Sequence, residues 1–278
     1  MTTEPFGARL RRAMDDRGPC CVGVDPHAAL LTAWGLNDDV AGLERFALTV
    51  VEALAGTTAV LKPQSAFFER FGSRGVAVLE RTVEEARQAG ALVLTDAKRG
   101  DIGSTMAAYA ATYLDKDSPL FSDAVTVSPY LGFGSLRPAL DAAAISGAGV
   151  FVLALTSNPE GAEVQRATAA GGASVAQAVL GHIAAENAGA RPLGSVGAVV
   201  GATLDEAGVD LAVNGPLLAP GVGAQGATPA DLPRVFGAAL PNVLPSVSRD
   251  VLRHGPDAGA LRNAARAYAD EIAAVVAR

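Results

Sequence analysis

The chain has 278 residues, half of them hydrophobic, and its 22 Lys+Arg against 29 Asp+Glu give a formal net charge of -7 at pH 7. A chain of this length can bury roughly three quarters of its unfolded surface without disulfides, and no stretch approaches the roughly 20 apolar residues of a membrane span. The arginines are dispersed and form no basic stripe, which argues against nucleic acid as a partner.

From Met1 to Arg17, the apolar residues Phe6, Leu10 and Met14 recur every fourth position among charges, which predicts an amphipathic helix rather than an export signal. Cys20 and Cys21 are the only cysteines. Adjacent in an apolar run, they cannot build a disulfide framework, so a reducing cytoplasm is expected. Strands are expected over residues 20–24, 59–62, 91–96, 124–127, 150–155, 196–200, 217–219 and 242–247. Helical spacing recurs over 40–54, 75–89, 136–146, 174–187 and 261–277. Eight βα units in this length predict one domain over residues 1–278, a single (β/α)8 TIM barrel with an N-terminal helix. A doubly wound sheet is the alternative, because alternation does not say whether the sheet closes. The Gly- and Ala-rich stretch 158–173 reads as a longer loop, either a lid or a tolerated insertion.

Chemistry concentrates in Val93-Leu-Thr-Asp96-Ala-Lys98-Arg-Gly100-Asp101-Ile102-Gly103. Residues two apart on a strand face the same way, so Asp96 and Lys98 project together, while Asp101 follows the flexible Gly100. Only Lys62, Lys98 and Lys116 are lysine among the 22 basic residues. An ammonium can release a proton where a guanidinium cannot, so lysine at two strand ends suggests proton chemistry. A structural Asp–Lys bridge remains the alternative.

Late in the chain, Gly221, Gly223 and Gly226 lie between Pro220 and the helix-starting Thr228-Pro229 pair. They suit either a plain turn or a backbone cradle for an anion. In barrels a phosphate site is commonly built from the loops after strands 7 and 8, here the Gly221–Gly226 loop and the Ser248-Arg249 turn. Gln225 and Arg249 would donate to it. His27, His182 and His254 show no ligand spacing, so no metal site is expected. Tyr130, Phe133 and Phe151 read as packing residues.

Taken together, Asp96-x-Lys98-x-x-Asp101, Lys62-Pro-Gln-x-x-Phe-Phe-Glu69, Val22-Gly-Val-Asp25-Pro, Thr156-Ser157-Asn-Pro, Pro220-Gly-Val-Gly-Ala-Gln225 and Ser248-Arg249 resemble the orotidine 5′-monophosphate decarboxylase family, and its longer bacterial branch in particular. The resemblance implies a barrel homodimer with shared active sites. It would convert orotidine 5′-monophosphate to uridine 5′-monophosphate, the last step of pyrimidine nucleotide synthesis, with neither metal nor organic cofactor. It also implies a Lys62-Asp96-Lys98-Asp101 array in which Lys98 protonates C6. Asp25 and Lys62 would touch the ribose, Ile102 and Ser157 the pyrimidine, and Thr105 the ribose of the neighbouring subunit. Pro220 and Gln225 would lie on a closing loop, with Arg249 on the phosphate. Two other readings stay open: a magnesium-dependent sugar-phosphate decarboxylase or aldolase of the same superfamily, which Lys62 opposes, and a non-catalytic phosphate-binding barrel.

Overall fold

The computed structural model describes residues 3–276. Its strands are β1 (Cys21–Val24), β2 (Val60–Pro63), β3 (Leu92–Arg99), β4 (Ala124–Val127), β5 (Gly149–Leu155), β6 (Val196–Val200), β7 (Leu217–Pro220) and β8 (Val243–Val247). All neighbours pair in parallel, and β1 pairs with β8 as well as with β2, so the sheet closes into a barrel and the doubly wound alternative falls.

Around it run α1 (Phe6–Arg17), α2 (Ala28–Ala33), α3 (Val40–Leu54), α4 (Ala66–Glu69), α5 (Gly72–Gln88), α6 (Gly103–Leu114), α7 (Arg137–Ser146), α8 (Ala162–Gln165), α9 (Val175–Glu186), α10 (Leu232–Phe236), α11 (Arg249–Leu252) and α12 (Ala258–Val276). The expected ends at Met1 and Ala277 lie outside the described residues.

Strand alternation divides the core in two. Cys21, Val60, Leu94, Ala124, Phe151, Val199, Leu218 and Leu244 fill the barrel interior. Their neighbours Val22, Leu61, Val93, Val125, Val152, Ala198, Leu217 and Val243 belong to the larger core shared with the helices. Phe6, Leu10 and Met14 of α1 join the interior group, with Phe6 edge-on to Phe151 at 5.9 Å between ring centroids. The four-residue spacing thus makes α1 a plug for the N-terminal end of the barrel. Each large side chain buried this way contributes roughly 1.5–3 kcal/mol. A buried carboxylate pins the plug: Asp123, just before β4, accepts from Arg9 on α1 and from the Val93 amide at 2.9 Å. With that end closed and apolar, the interior is open to ligand only at the C-terminal ends of the strands.

One expectation needs correcting. Among the described residues no helix follows β6, so the eight-fold βα rhythm is interrupted between Val200 and Leu217. Gly208, Asn214, Gly215 and Pro216 oppose a helix there. The buried Asn187 instead ties the end of this segment to β6. Its amide nitrogen donates to the Val213 and Val196 carbonyls at 2.9 and 2.7 Å, and its own carbonyl accepts from the Asn214 side chain at 2.8 Å.

Candidate active site

The inward-facing positions that are apolar at the bottom of the barrel become polar at the top. Asp25, Lys62, Gln64, Asp96, Lys98, Thr126, Ser246 and Ser248 line a cavity of about 220 Å³, closed on other sides by Leu153, Val199 and Leu218. A larger groove of about 870 Å³ lies between α1 and α12 at the opposite end. Charged groups in its walls already pair with one another, as in Arg11–Asp15 and Arg266–Asp270.

Asp96 is the centre of the polar cavity. Its Oδ2 lies 3.2 Å from Lys62 Nζ and its Oδ1 2.6 Å from Lys98 Nζ. Burial opposes charge on both Lys62 and Asp96, but mutual attraction wins. Despite burial, Asp96 and Asp25 hold the Lys62 ammonium above the usual lysine range. Lys62 and Lys98 likewise hold the Asp96 carboxyl well below the usual carboxylate range, helped by hydrogen bonds from Lys98 and Thr126. The paired charges are unequally exposed: the Lys62 side chain is 7% exposed and that of Lys98 is 44% exposed. Lys98 therefore presents its ammonium to the open part of the cavity.

The backbone contributes to that aim. Lys98 has φ 49°, the left-handed region, which for a non-glycine residue costs of order 1–3 kcal/mol. The β3–β4 register is regular at Thr95↔Val125 and resumes at Arg99↔Val127, so the intervening stretch bulges. The next residue, Arg99, turns away to Glu69 on α4.

Asp25 follows β1, the neighbour of the Lys62-bearing β2, and is 7% exposed; its Oδ1 has no hydrogen-bond partner, and neither has Ser248 Oγ. Gly23 makes this crowding feasible, because a Cβ there would lie 2.8 Å from both Asp25 Oδ2 and Ser248 Cβ. An orphaned buried carboxylate oxygen facing a cavity is a site for a ligand donor. Below, Cys21 shares the barrel interior, and burial pushes its thiol up to about 12, so it is not a reactive group.

Of the expected substrate-binding residues, Asp25, Pro220, Gln225 and Arg249 line this cavity, together with Gly221. Gly221, Gly223 and Gly226 all have positive φ, at 114°, 81° and 109°. The loop closes on itself: the Gly223 amide donates to the Ala227 carbonyl at 2.8 Å and the Gly226 amide to the Gly223 carbonyl at 2.7 Å. Those two glycines shape the turn, which leaves anion contacts to other groups of the loop.

Ser157 is exposed beside the cavity wall formed by Thr156. The segment after it is anchored. Gln165 at the end of α8 accepts from the Thr156 amide at 2.8 Å and donates to its hydroxyl at 2.7 Å.

Asp101, Ile102 and Thr105 are not brought into the cavity of their own chain. Asp101 Oδ1 accepts from the Ile102 amide at 2.8 Å, while Ile102 is 62% exposed and Thr105 is exposed. Gly100 corrects a detail of the sequence reading. It serves close packing rather than freedom, since a Cβ there would lie 2.3 Å from the Ser128 carbonyl oxygen. Gln64, Thr126, Thr156 and Ser246 also line the cavity, with no role expected of them from the sequence, and Ser248 joins them from the turn expected to hold phosphate. Inward parity was the available signal for Gln64, Thr126 and Ser246, whereas Thr156 follows the register irregularity at the end of β5.

A family model described as Orotidine 5′-phosphate decarboxylase / HUMPS family matches residues 18–264. Orotidine 5′-phosphate decarboxylase of Streptomyces coelicolor is 75% identical over 274 residues, covering 98% of this chain and 99% of that protein. The enzyme of the same name from Salinispora arenicola is 70% identical over 269 residues, covering 96% and 97%. Among solved structures, a crystal structure from Streptomyces avermitilis ma-4680 matches with a TM-score of 0.98 at 73% identity, covering 100% of this chain and 98% of that one. Leishmania donovani OMP decarboxylase matches with a TM-score of 0.77 at 30% identity, covering 99% and 100%.

Proposed function

The chain belongs to the orotidine 5′-phosphate decarboxylase / HUMPS family, and we propose from that membership and the cavity's geometry how it works. It is a carboxy-lyase that converts orotidine 5′-monophosphate to uridine 5′-monophosphate, the last step of UMP biosynthesis. The observation that carries the mechanism is the buried Lys62–Asp96–Lys98 cluster, with a partnerless Asp25 oxygen in the same cavity.

Loss of CO2 from C6 of the pyrimidine leaves an electron pair in the ring plane, with no adjacent carbonyl to accept it. Stabilisation must then come from fixed charges around the site. The Lys98 ammonium faces the developing carbanion and afterwards gives it a proton, so the C6–C bond breaks and a C6–H bond forms. Asp96, held ionised between two lysines, keeps Lys98 oriented, and it repels the substrate carboxylate until that group leaves as CO2. The orphaned Asp25 oxygen takes a ribose hydroxyl, with Lys62 beside it. Ser157 serves the pyrimidine, Pro220 and Gln225 close over the nucleotide, and Arg249 holds the phosphate next to the Gly221–Gly226 turn. No metal or organic cofactor enters this scheme.

The fourth charge comes from a second copy. Asp101, Ile102 and Thr105 lie outside their own cavity, and Ile102, Tyr130 and Leu131 present exposed apolar side chains at the ends of adjoining strands. These features support a homodimer in which Asp101 and Thr105 complete the neighbour's site, Thr105 at the ribose, while Ile102 lines the pyrimidine pocket. One catalytic domain over residues 1–278 and a cytoplasmic location are part of the same reading, the latter supported by two buried, unbridged cysteines. Among the described residues no helix is long and apolar enough to cross a membrane.

A magnesium-dependent sugar-phosphate reaction is disfavoured by Lys62, because a divalent cation beside Asp96 would face two ammonium groups. Purified protein incubated with orotidine 5′-monophosphate in excess chelator is expected to form uridine 5′-monophosphate at an undiminished rate. Activity that appears only on adding Mg2+ would favour the sugar-phosphate branch, and absence of turnover with or without metal would leave a non-catalytic phosphate-binding barrel.

A further inference from the structure

Thr126 is an inward-facing residue of β4, 1% exposed, and its one hydroxyl makes two hydrogen bonds to the charged cluster. Oγ1 donates to Asp96 Oδ1 at 2.8 Å and accepts from the Lys98 amide at 2.9 Å. The directions are fixed by chemistry: an ionised carboxylate can only accept and an amide N–H can only donate. The hydroxyl therefore has its proton committed to Asp96 and a lone pair committed to Lys98.

Those two partners are the groups whose placement the strands alone do not secure. Between the pairs Thr95↔Val125 and Arg99↔Val127, three residues of β3 face the single residue Thr126 of β4. Lys98 lies in that bulge with φ 49°, and its amide is held by the Thr126 side chain. Asp96 Oδ1, the oxygen that accepts from Thr126, also receives Lys98 Nζ at 2.6 Å. Thr126 thus closes a ring that runs from the Lys98 amide, through the hydroxyl and the Asp96 carboxylate, to the ammonium of the same lysine. The two ends of Lys98 are held by two atoms that are hydrogen-bonded to each other, Thr126 Oγ1 and Asp96 Oδ1.

We propose that Thr126 is a positioning residue for the decarboxylation, fixing the Asp96 carboxylate and the left-handed backbone of Lys98 so that the ammonium points at the reacting carbon. This rests on the decarboxylase reading above. Threonine and valine have nearly the same shape, so Thr126→Val removes the hydroxyl and leaves the packing, while Thr126→Ser keeps the hydroxyl and removes a methyl.

Both variants would be assayed with orotidine 5′-monophosphate beside the wild-type protein, with melting curves recorded for each. Misplacing a reacting group by about 1 Å can cost about 100-fold. Thr126→Val is therefore expected to lose about 10- to 100-fold in kcat, with KM within about threefold. Thr126→Ser should stay within about threefold of wild type in both. A residue that only stabilised the barrel would lower the melting temperature and leave kcat of the folded protein unchanged. A second readout does not need turnover: the rate of Lys98 acylation by an amine-reactive ester, mapped by mass spectrometry, should change in Thr126→Val and not in Thr126→Ser.

The proposal fails if folded Thr126→Val keeps wild-type kcat, if Thr126→Ser is as impaired as Thr126→Val, or if only KM moves. Should Thr126→Val not fold, Thr126→Ser against Thr126→Ala makes the same comparison with a single oxygen removed. Inactive wild-type protein would sink the decarboxylase reading itself, and the acylation rates would still decide whether Thr126 sets the environment of Lys98.

Discussion

Lys98→Ala is expected to lower kcat for orotidine 5′-monophosphate by at least about 10³. A unit charge about 4 Å from a developing carbanion is worth about 4 kcal/mol at an effective dielectric constant of about 20, and each 1.36 kcal/mol is about tenfold in rate. The substitution removes this attraction and the proton donor together. Folding should survive, because Lys62 still pairs with the buried Asp96 and the Lys98 side chain is the exposed member of the cluster. A folded variant whose kcat falls by less than about tenfold would show that another group performs both tasks.

The second large effect is a recovery of activity. Lys98→Ala and Asp101→Ala proteins should each be nearly inactive, yet mixing them should restore turnover. If Lys98 of one chain meets Asp101 of its partner, a mixed dimer gathers both defects in one site and leaves the other whole. Random exchange makes half the dimers mixed, each with one good site of two, so roughly a quarter of wild-type activity is expected. Exchange itself would be verified by mass-tagging one parent. Mixed dimers no more active than their parents would mean that Asp101 acts within its own chain.

Most of the barrel was legible because its strands are short Val-, Ala- and Leu-rich runs whose alternate residues face the interior and the helices. Asp96 and Lys98 do share one cavity as expected, although Lys98 reaches it from a bulge with left-handed backbone and not from regular strand alternation. What escaped the sequence depends on cross-strand partners. Nothing local to Lys98 announces a left-handed φ, which is held by Thr126 across the bulge. The helix-free segment after β6 is tied down at its end by Asn187 from a different part of the chain. The residues alone left open where the Asp101 carboxylate points after Gly100, and it lies outside its own cavity.

The central claim is that this cluster releases CO2 and returns a proton to the same carbon. Orotidine 5′-monophosphate labelled with carbon-13 in its carboxylate would be turned over by wild-type protein in deuterated water. An ammonium exchanges its protons with solvent, so each turnover should release one labelled CO2 and leave one deuterium at C6 of uridine 5′-monophosphate. Label retained in the nucleotide, or protium at C6, would contradict it.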